Sequence, residues 1–173
     1  VKDSENEKYT EKAFDGVFDG NGHTISGLTI QGDAPYVSVG LFARVEGGVI
    51  KNLNLKDVKI KAGTASRRVG AVAGRVNAAE NTGVRGCIEN VTVSGEVGMT
   101  AGKDVKTQIA VIGGAVGYVG NAKVSNVKNQ AVVSYWSEKQ EKLQGACNRH
   151  IGGVAGFLSG GELYQCSNTG DIT

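Results

Sequence analysis

The chain has 173 residues, 40% apolar and 21% charged, enough for one domain with a buried core and unlike a disordered tract. Its formal net charge of +2 gives no electrostatic basis for a nucleic-acid partner or a membrane surface. Glycine is the anomaly: 27 of them, spread evenly against a single proline, mean a backbone that turns or meets other backbone many times.

In chain order, residues 1–13 read as a polar lead-in. Phe14–Ile30, "FDGVFDGNGHTISGLTI", packs Asp-Gly and Asn-Gly pairs around His23. As a calcium loop starting at Asp15 it fails, because Val17 and Ser26 stand where an EF-hand needs oxygen ligands. Asp15, Asp19 and Asn21 are the looser oxygen set left over. Turn chemistry accounts for the same letters, since Asp-Gly and Asn-Gly accept the positive φ of tight turns. The expectation is a row of turns with no metal and no cofactor. "ISGLTI" (Ile25–Ile30) then reads as a partial copy of "IKNLNL" (Ile50–Leu55).

Four later segments align without gaps: "GLFARV" (Gly40–Val45), "AVAGRV" (Ala71–Val76), "GAVGYV" (Gly114–Val119) and "GVAGFL" (Gly153–Leu158). Each is followed by a second set: "IKNLNL", "IENVTV" (Ile88–Val93), "VSNVKN" (Val124–Asn129) and "LYQCSN" (Leu163–Asn168). The offset between sets is 12 residues in three copies and 19 in the second, whose seven extra residues fall in "NAAENTG" (Asn77–Gly83). Copies begin 31, 43 and 39 residues apart, with short β-branched runs that alternate in polarity. A helical repeat would hold its length and a 3.6-residue rhythm. The pattern predicts an all-β fold: a right-handed parallel β-helix, or β-solenoid, of about five Gly-rich coils with variable loops. Ile50, Ile88, Val124 and Leu163 should stack inward, as should Leu53, Val91, Val127 and Cys166. Gly40, Ala71, Gly114 and Gly153 should mark close backbone approach, and Asn52, Asn90, Asn126 and Gln165 a polar ladder. In "KDVKIKAG", Lys59 and Lys61 should face solvent while Val58 and Ile60 face in.

These copies resemble the GLUG motif, a Gly-Leu-any-Gly repeat of bacterial surface proteins. "GLFA" carries the Gly-Leu but ends in Ala43, whereas "AVAG", "GAVG" and "GVAG" keep the last glycine and replace the leucine. "FDGVFDGNGHTISGLTI" looks like the segment preceding such repeats, and "NTGDIT" (Asn168–Thr173) like a coil ending. The resemblance implies a parallel β-helix. It is similar to the non-catalytic N-terminal regions of immunoglobulin A-cleaving zinc metallopeptidases and to filamentous-haemagglutinin-like adhesins. Expected, therefore, is a single non-catalytic repeat domain over residues 1–173, a segment of a larger extracellular or cell-surface protein, acting either in adhesion or recognition, with a host or surface protein or glycan as partner, or as a rigid stalk with no ligand. No run approaches the ~18 apolar residues of a membrane span.

Catalysis finds little support. His23 and His150 lie 127 residues apart and neither sits in HExxH. No G-x-S-x-G occurs, and Cys147 beside His150 in "CNRH" is local spacing, which does not make a catalytic pair. Cys87, Cys147 and Cys166 fit neither a disulfide framework nor a zinc site. The enzymatic rival is a polysaccharide lyase or hydrolase, which needs charged groups clustered on one face of adjacent coils. The equivalent outward positions, Lys51, Glu89, Ser125 and Tyr164, form a mixed column without an acidic cluster. For recognition, the loop "VSYWSEKQEKLQGACNRH" holds Tyr135 and the only tryptophan, Trp136, an aromatic pair able to anchor a glycan or protein. The alternative is that the pair packs on the flank of the stack. "SEKQEKLQ" has the composition for a helical turn or two, and His150 reads as an exposed loop residue.

Overall fold

A computed structural model describes residues 12–32, 37–63, 67–100, 109–136 and 148–173. The strands are β1 (Val17–Asp19), β2 (Thr24–Ser26), β3 (Thr29–Gly32), β4 (Ser38–Val39), β5 (Phe42–Glu46), β6 (Val49–Ala62), β7 (Arg68–Val69), β8 (Ala73–Asn77) and β9 (Cys87–Thr100). They continue as β10 (Ile109–Gly113), β11 (Val116–Gly120), β12 (Lys123–Asn129), β13 (Val132–Trp136), β14 (Asn148–Gly152), β15 (Ala155–Ser159), β16 (Glu162–Tyr164) and β17 (Ser167–Asn168). Among the described residues there is no helix. Cys147, the "SEKQEKLQ" tract and residues 1–11 of the lead-in lie outside the described residues.

The strands form three all-parallel sheets in which neighbours come from successive copies of the repeat. One runs β4-β7-β10-β14 and a second β5-β8-β11-β15. The large sheet is centred on β6 and β9. The three short strands β1, β2 and β3 pair with β6; β12 and β13 pair with β9; and β16 and β17 pair with β12. Parallel pairing requires a long crossover between partners, and one full copy of the repeat supplies it.

The ungapped alignment is reproduced as strand register. Arg44, Arg75, Tyr118 and Phe157 lie side by side, as do Val45, Val76, Val119 and Leu158. Ile50, Ile88, Val124 and Leu163 form one inward column, extended by Phe18. Val58 and Ile60 are buried while Lys59 and Lys61 are exposed. The seven extra residues of the second copy fall between β8 and β9. Two members of the inward columns are wetter than expected: Leu163 is 39% exposed and Cys166 half-buried. Leu163 sits in β16 and Cys166 between β16 and β17, where the described residues cover them from one side only.

The first copy needs a correction. "ISGLTI" does not pair with "IKNLNL": Ile25 lies beside Leu55 and Ile30 beside Ile60, so it stacks on "LKDVKI" (Leu55–Ile60). The segment over Ile50 is "VFD", with Phe18 beside Ile50. Similar apolar alternation in two consecutive arcs of one copy allowed the shift.

The motif's last glycine has a packing cause. A Cβ on Gly74 would lie 2.6 Å from Val39 N, on Gly117 2.7 Å from Val69 N, and on Gly156 2.7 Å from both Ile112 N and O. Each such glycine therefore abuts the backbone of the short strand from the preceding copy, where any side chain must displace main chain. Ala43 departs from the pattern in the copy whose short strand, β4, is the edge of its sheet. No earlier strand of that sheet stands among the described residues for its methyl to meet.

Two corner chemistries turn the large sheet. Asn52, Asn90, Asn126 and Gln165 all have φ between +51° and +54°, the left-handed region that Asn tolerates best among non-glycine residues. The polar ladder is thus first a backbone requirement, although Asn90 Nδ2 also donates to Asn52 Oδ1 at 3.1 Å. At the next corner, the first three copies use positive φ at Gly27, Asp57 and Gly95. The last two instead turn an asparagine inward. Asn129 is in register with Val93, and Asn168 with Asn129, so amides replace apolar residues in that column. Asn129 Oδ1 accepts from Ala131 N at 3.3 Å, and its Nδ2 donates to Ala131 O at 3.0 Å and Asn168 Oδ1 at 2.7 Å. Asn168 Nδ2 donates in turn to Gly170 O at 2.7 Å. Gly114 and Gly153 leave the room: a Cβ on either would run into the amide of Asn129 or Asn168, respectively.

Candidate functional site

Tyr135 and Trp136 do not form one exposed pair. They end β13, in register with Met99 and Thr100 of β9, and successive residues of a strand point to opposite faces. Tyr135 packs against the core, half-buried, with the Arg149 guanidinium 4.7 Å from its ring centroid. Trp136 faces the other way, also half-buried, over the outer surface of the large sheet.

Glycine again makes the seat. In the outward row Gln31, Lys61, Gly98 and Ser134 lie side by side. A Cβ on Gly98 would fall 2.6 Å from Cζ3 of Trp136, so the indole occupies the space of the missing side chain. Across that gap the Lys61 ammonium lies 5.6 Å from the indole centroid, within cation–π range. A shallow groove of about 480 Å³ opens beside the ring, lined by Thr29, Gln31, Lys59, Lys61, Glu96 and Trp136 over Ile60. Ser134, 2% exposed, has a hydroxyl with no hydrogen-bond partner among the described residues. A buried hydroxyl without a partner carries a desolvation cost.

The acidic turns are otherwise engaged. Asp19 Oδ1 accepts from Asn21 N and from Asn52 Nδ2, both at 2.9 Å, and Oδ2 lies 3.4 Å from Lys51 Nζ. The Asn52 amide, then the Asn21 N–H, hold the Asp19 carboxyl below its ordinary value of 3.8. That arrangement is a turn cap continuing the Asn52–Asn90 ladder, with a cation already beside it. Asp15 instead lines a second open groove with Glu46, Glu80, Asn81 and Thr82. Among the described residues no three His, Cys, Asp or Glu side chains converge as a metal site. His23 is exposed. His150 is no loop residue: it lies in β14, half-buried, with its ring 4.8 Å from that of Phe157.

The outward column Lys51, Glu89, Ser125, Tyr164 exists in register and gains Asp19 at one end. Its acidic members flank a lysine, and Ser125 is buried, so it offers no pair of free carboxylates. Burial, with Glu89 next, pushes the Cys87 thiol up. One surface feature escaped the sequence reading. Tyr118 stacks on Phe157 at 5.6 Å, with the Arg68 and Arg75 guanidinium carbons 5.3 and 5.7 Å from the Tyr118 centroid. Its only sequence signal was the variable fifth position of the repeat, filled by Arg, Arg, Tyr and Phe.

Comparison with known proteins gives two family matches. The model described as the M26 IgA1-specific metallo-endopeptidase N-terminal region matches residues 1–95, and that of the GLUG motif matches residues 148–173. Halomucin of Haloquadratum walsbyi (strain DSM 16790 / HBSQ001) is 42% identical over 89 residues, 51% of this chain. The chain spans only 1% of that relative's length. No solved structure matches it.

Proposed function

Since the chain belongs to the family of M26 IgA1-specific metallo-endopeptidase N-terminal regions and carries GLUG repeats, we propose that it is a non-catalytic module of an extracellular or cell-surface protein. In this reading it is a right-handed parallel β-helix of about five coils that holds a recognition surface on a stiff support. Right-handedness follows from the strong chiral preference of parallel crossovers. The observation carrying the reading is the in-register stacking of the four full copies in three parallel sheets, with Trp136 presented on the outer face. Such a stack resists bending because each copy is hydrogen-bonded along its length to the next. The printed identity of halomucin, a mucin by name, is in keeping with an extracellular setting.

The partner would be a surface protein or a glycan, engaged through Trp136, with Tyr135 supporting the strand from its inner face. Binding on a glycan array that is lost in Trp136→Ala, with an unchanged circular dichroism spectrum, is the expected result. Turnover of uronic-acid polymers by the isolated chain would overturn the non-catalytic assignment. A second reading, favoured by the match over residues 1–95, makes the segment an accessory region of a secreted metallopeptidase. It predicts that deleting the segment from its parent protein lowers activity on a large substrate while leaving a short peptide substrate unaffected.

A further inference from the structure

We propose that the groove beside Trp136 binds an acidic oligosaccharide, a glycan bearing carboxylates such as uronic acids. This deepens the recognition reading above and rests on it. Three observations converge. First, among the described residues two exposed ammonium groups, Lys59 and Lys61, line the groove against one carboxylate, Glu96, so the charge of that lining is positive although the chain is nearly neutral. Second, the indole is held at the groove wall by the gap at Gly98, a rigid aromatic surface that costs little conformational freedom to present. Third, polar groups able to meet sugar hydroxyls line it: the Thr29 hydroxyl and the Gln31 amide.

The Lys61 ammonium is the switch in this arrangement. Without ligand it lies against the indole at 5.6 Å. A carboxylate arriving in the groove competes for that ammonium, because an exposed ion pair is comparable in strength to an exposed cation–π contact. Lys61 then leaves the ring and the exposed indole surface takes the apolar face of the adjacent sugar.

A carbohydrate fits better than an acidic peptide. An extended peptide gains affinity by adding a strand to a free sheet edge. The floor of the groove lies over β6 and β9, which are paired on both sides, so that face offers no main-chain ladder; only β3, which supplies Thr29 and Gln31 at the rim, has a single partner strand among the described residues. What the surface does offer is one aromatic face, two cations and scattered hydrogen-bonding groups.

The chain's only tryptophan is Trp136, so its own fluorescence reports occupancy. The 173-residue chain is titrated with alginate oligosaccharides, with neutral maltoheptaose and with poly-glutamate. Expected is a saturable emission change with alginate, at least ~10-fold weaker binding of maltoheptaose, and a loss of roughly 5-fold in affinity in Lys59→Ala and in Lys61→Ala. Added salt should weaken binding, since exposed charges are screened. Calorimetry on Trp136→Ala, which has no fluorophore, should show no binding. Lysine variants that bind as wild type overturn the inference, as do poly-glutamate matching alginate or no response to alginate. Tight maltoheptaose binding that Trp136→Ala abolishes would sink the acidic class alone and leave glycan recognition standing. No glycan binding on the array as well would remove both.

Discussion

Asn129→Val is the substitution most at odds with simple column logic. Position 129 is in register with Val93 and Leu55 of earlier copies, so a valine looks like a repair of the apolar column. Asn129 is 1% exposed, however, and closes its corner with hydrogen bonds to both N and O of Ala131. Valine leaves those two buried groups, and Asn168 Oδ1, without that partner. At ~1–3 kcal/mol for each of two backbone groups, the loss is about 2–6 kcal/mol. Burying the valine side chain returns ~1.5 kcal/mol or somewhat more. The net expectation is a destabilisation of ~3 kcal/mol, or a fall in Tm of about 6–12 °C for a chain of this size. Urea denaturation with matched calorimetry reads it directly. In copy two the equivalent positions hold Ala71 and Val93, so the double variant Gly114→Ala/Asn129→Val should lose less than the sum of its parts: the methyl no longer meets an amide, and only its contact with Gly153 O remains. If Asn129→Val melts within ~2 °C of wild type, smaller than one lost buried hydrogen bond implies, the corner account is wrong.

Gly156→Ala should cost ~2–4 kcal/mol, because its Cβ would meet main-chain atoms of Ile112 that cannot swing aside, while Ala43→Gly should cost under ~1 kcal/mol; thermal melts of both compare them. Gln165 adopts φ +51° without the tolerance of Asn, so Gln165→Asn is expected to raise stability by ~0.5–1 kcal/mol, and a melt at or below wild type counts against the strain. The folded-state pKa of Asp19 is lowered, so its contribution is complete above 3.8 and disappears as pH falls through the depressed value. Asp19→Asn should therefore flatten the acid limb of the stability profile below about pH 4 and leave the limb near neutrality unchanged in slope; an unaltered acid limb would show that the Asn52 and Asn21 contacts do not favour the carboxylate in solution.

Repeat boundaries and the inward columns were legible because each copy repeats the same small/apolar spacing, and parallel stacking converts equal spacing into register. The first copy was misregistered for the same reason: "ISGLTI" resembles both "IKNLNL" and "LKDVKI", and only pairing to β6 separates them. Trp136 was picked out by its rarity and chemistry. Its geometry was hidden, since its seat is at Gly98 and its cation at Lys61, neither marked by anything nearby in sequence. The supposed partnership with Tyr135 failed because the two residues lie in a strand, where neighbours face apart.

By itself, then, the sequence determined the all-β class, the copies and which residues face the core, because burial imposes a periodicity that the chain must carry locally. Tertiary structure alone decided three matters. It set why the motif glycine is required, which is backbone from the preceding copy at 2.6–2.7 Å. It decided whether a corner turns by positive φ or by an inward asparagine, which depends on Gly114 and Gly153 leaving space across the core. And it placed a lysine against an indole 75 positions away in the chain, because stacking sets successive copies about 5 Å apart and the missing side chain at Gly98, on the strand between them, lets the two meet.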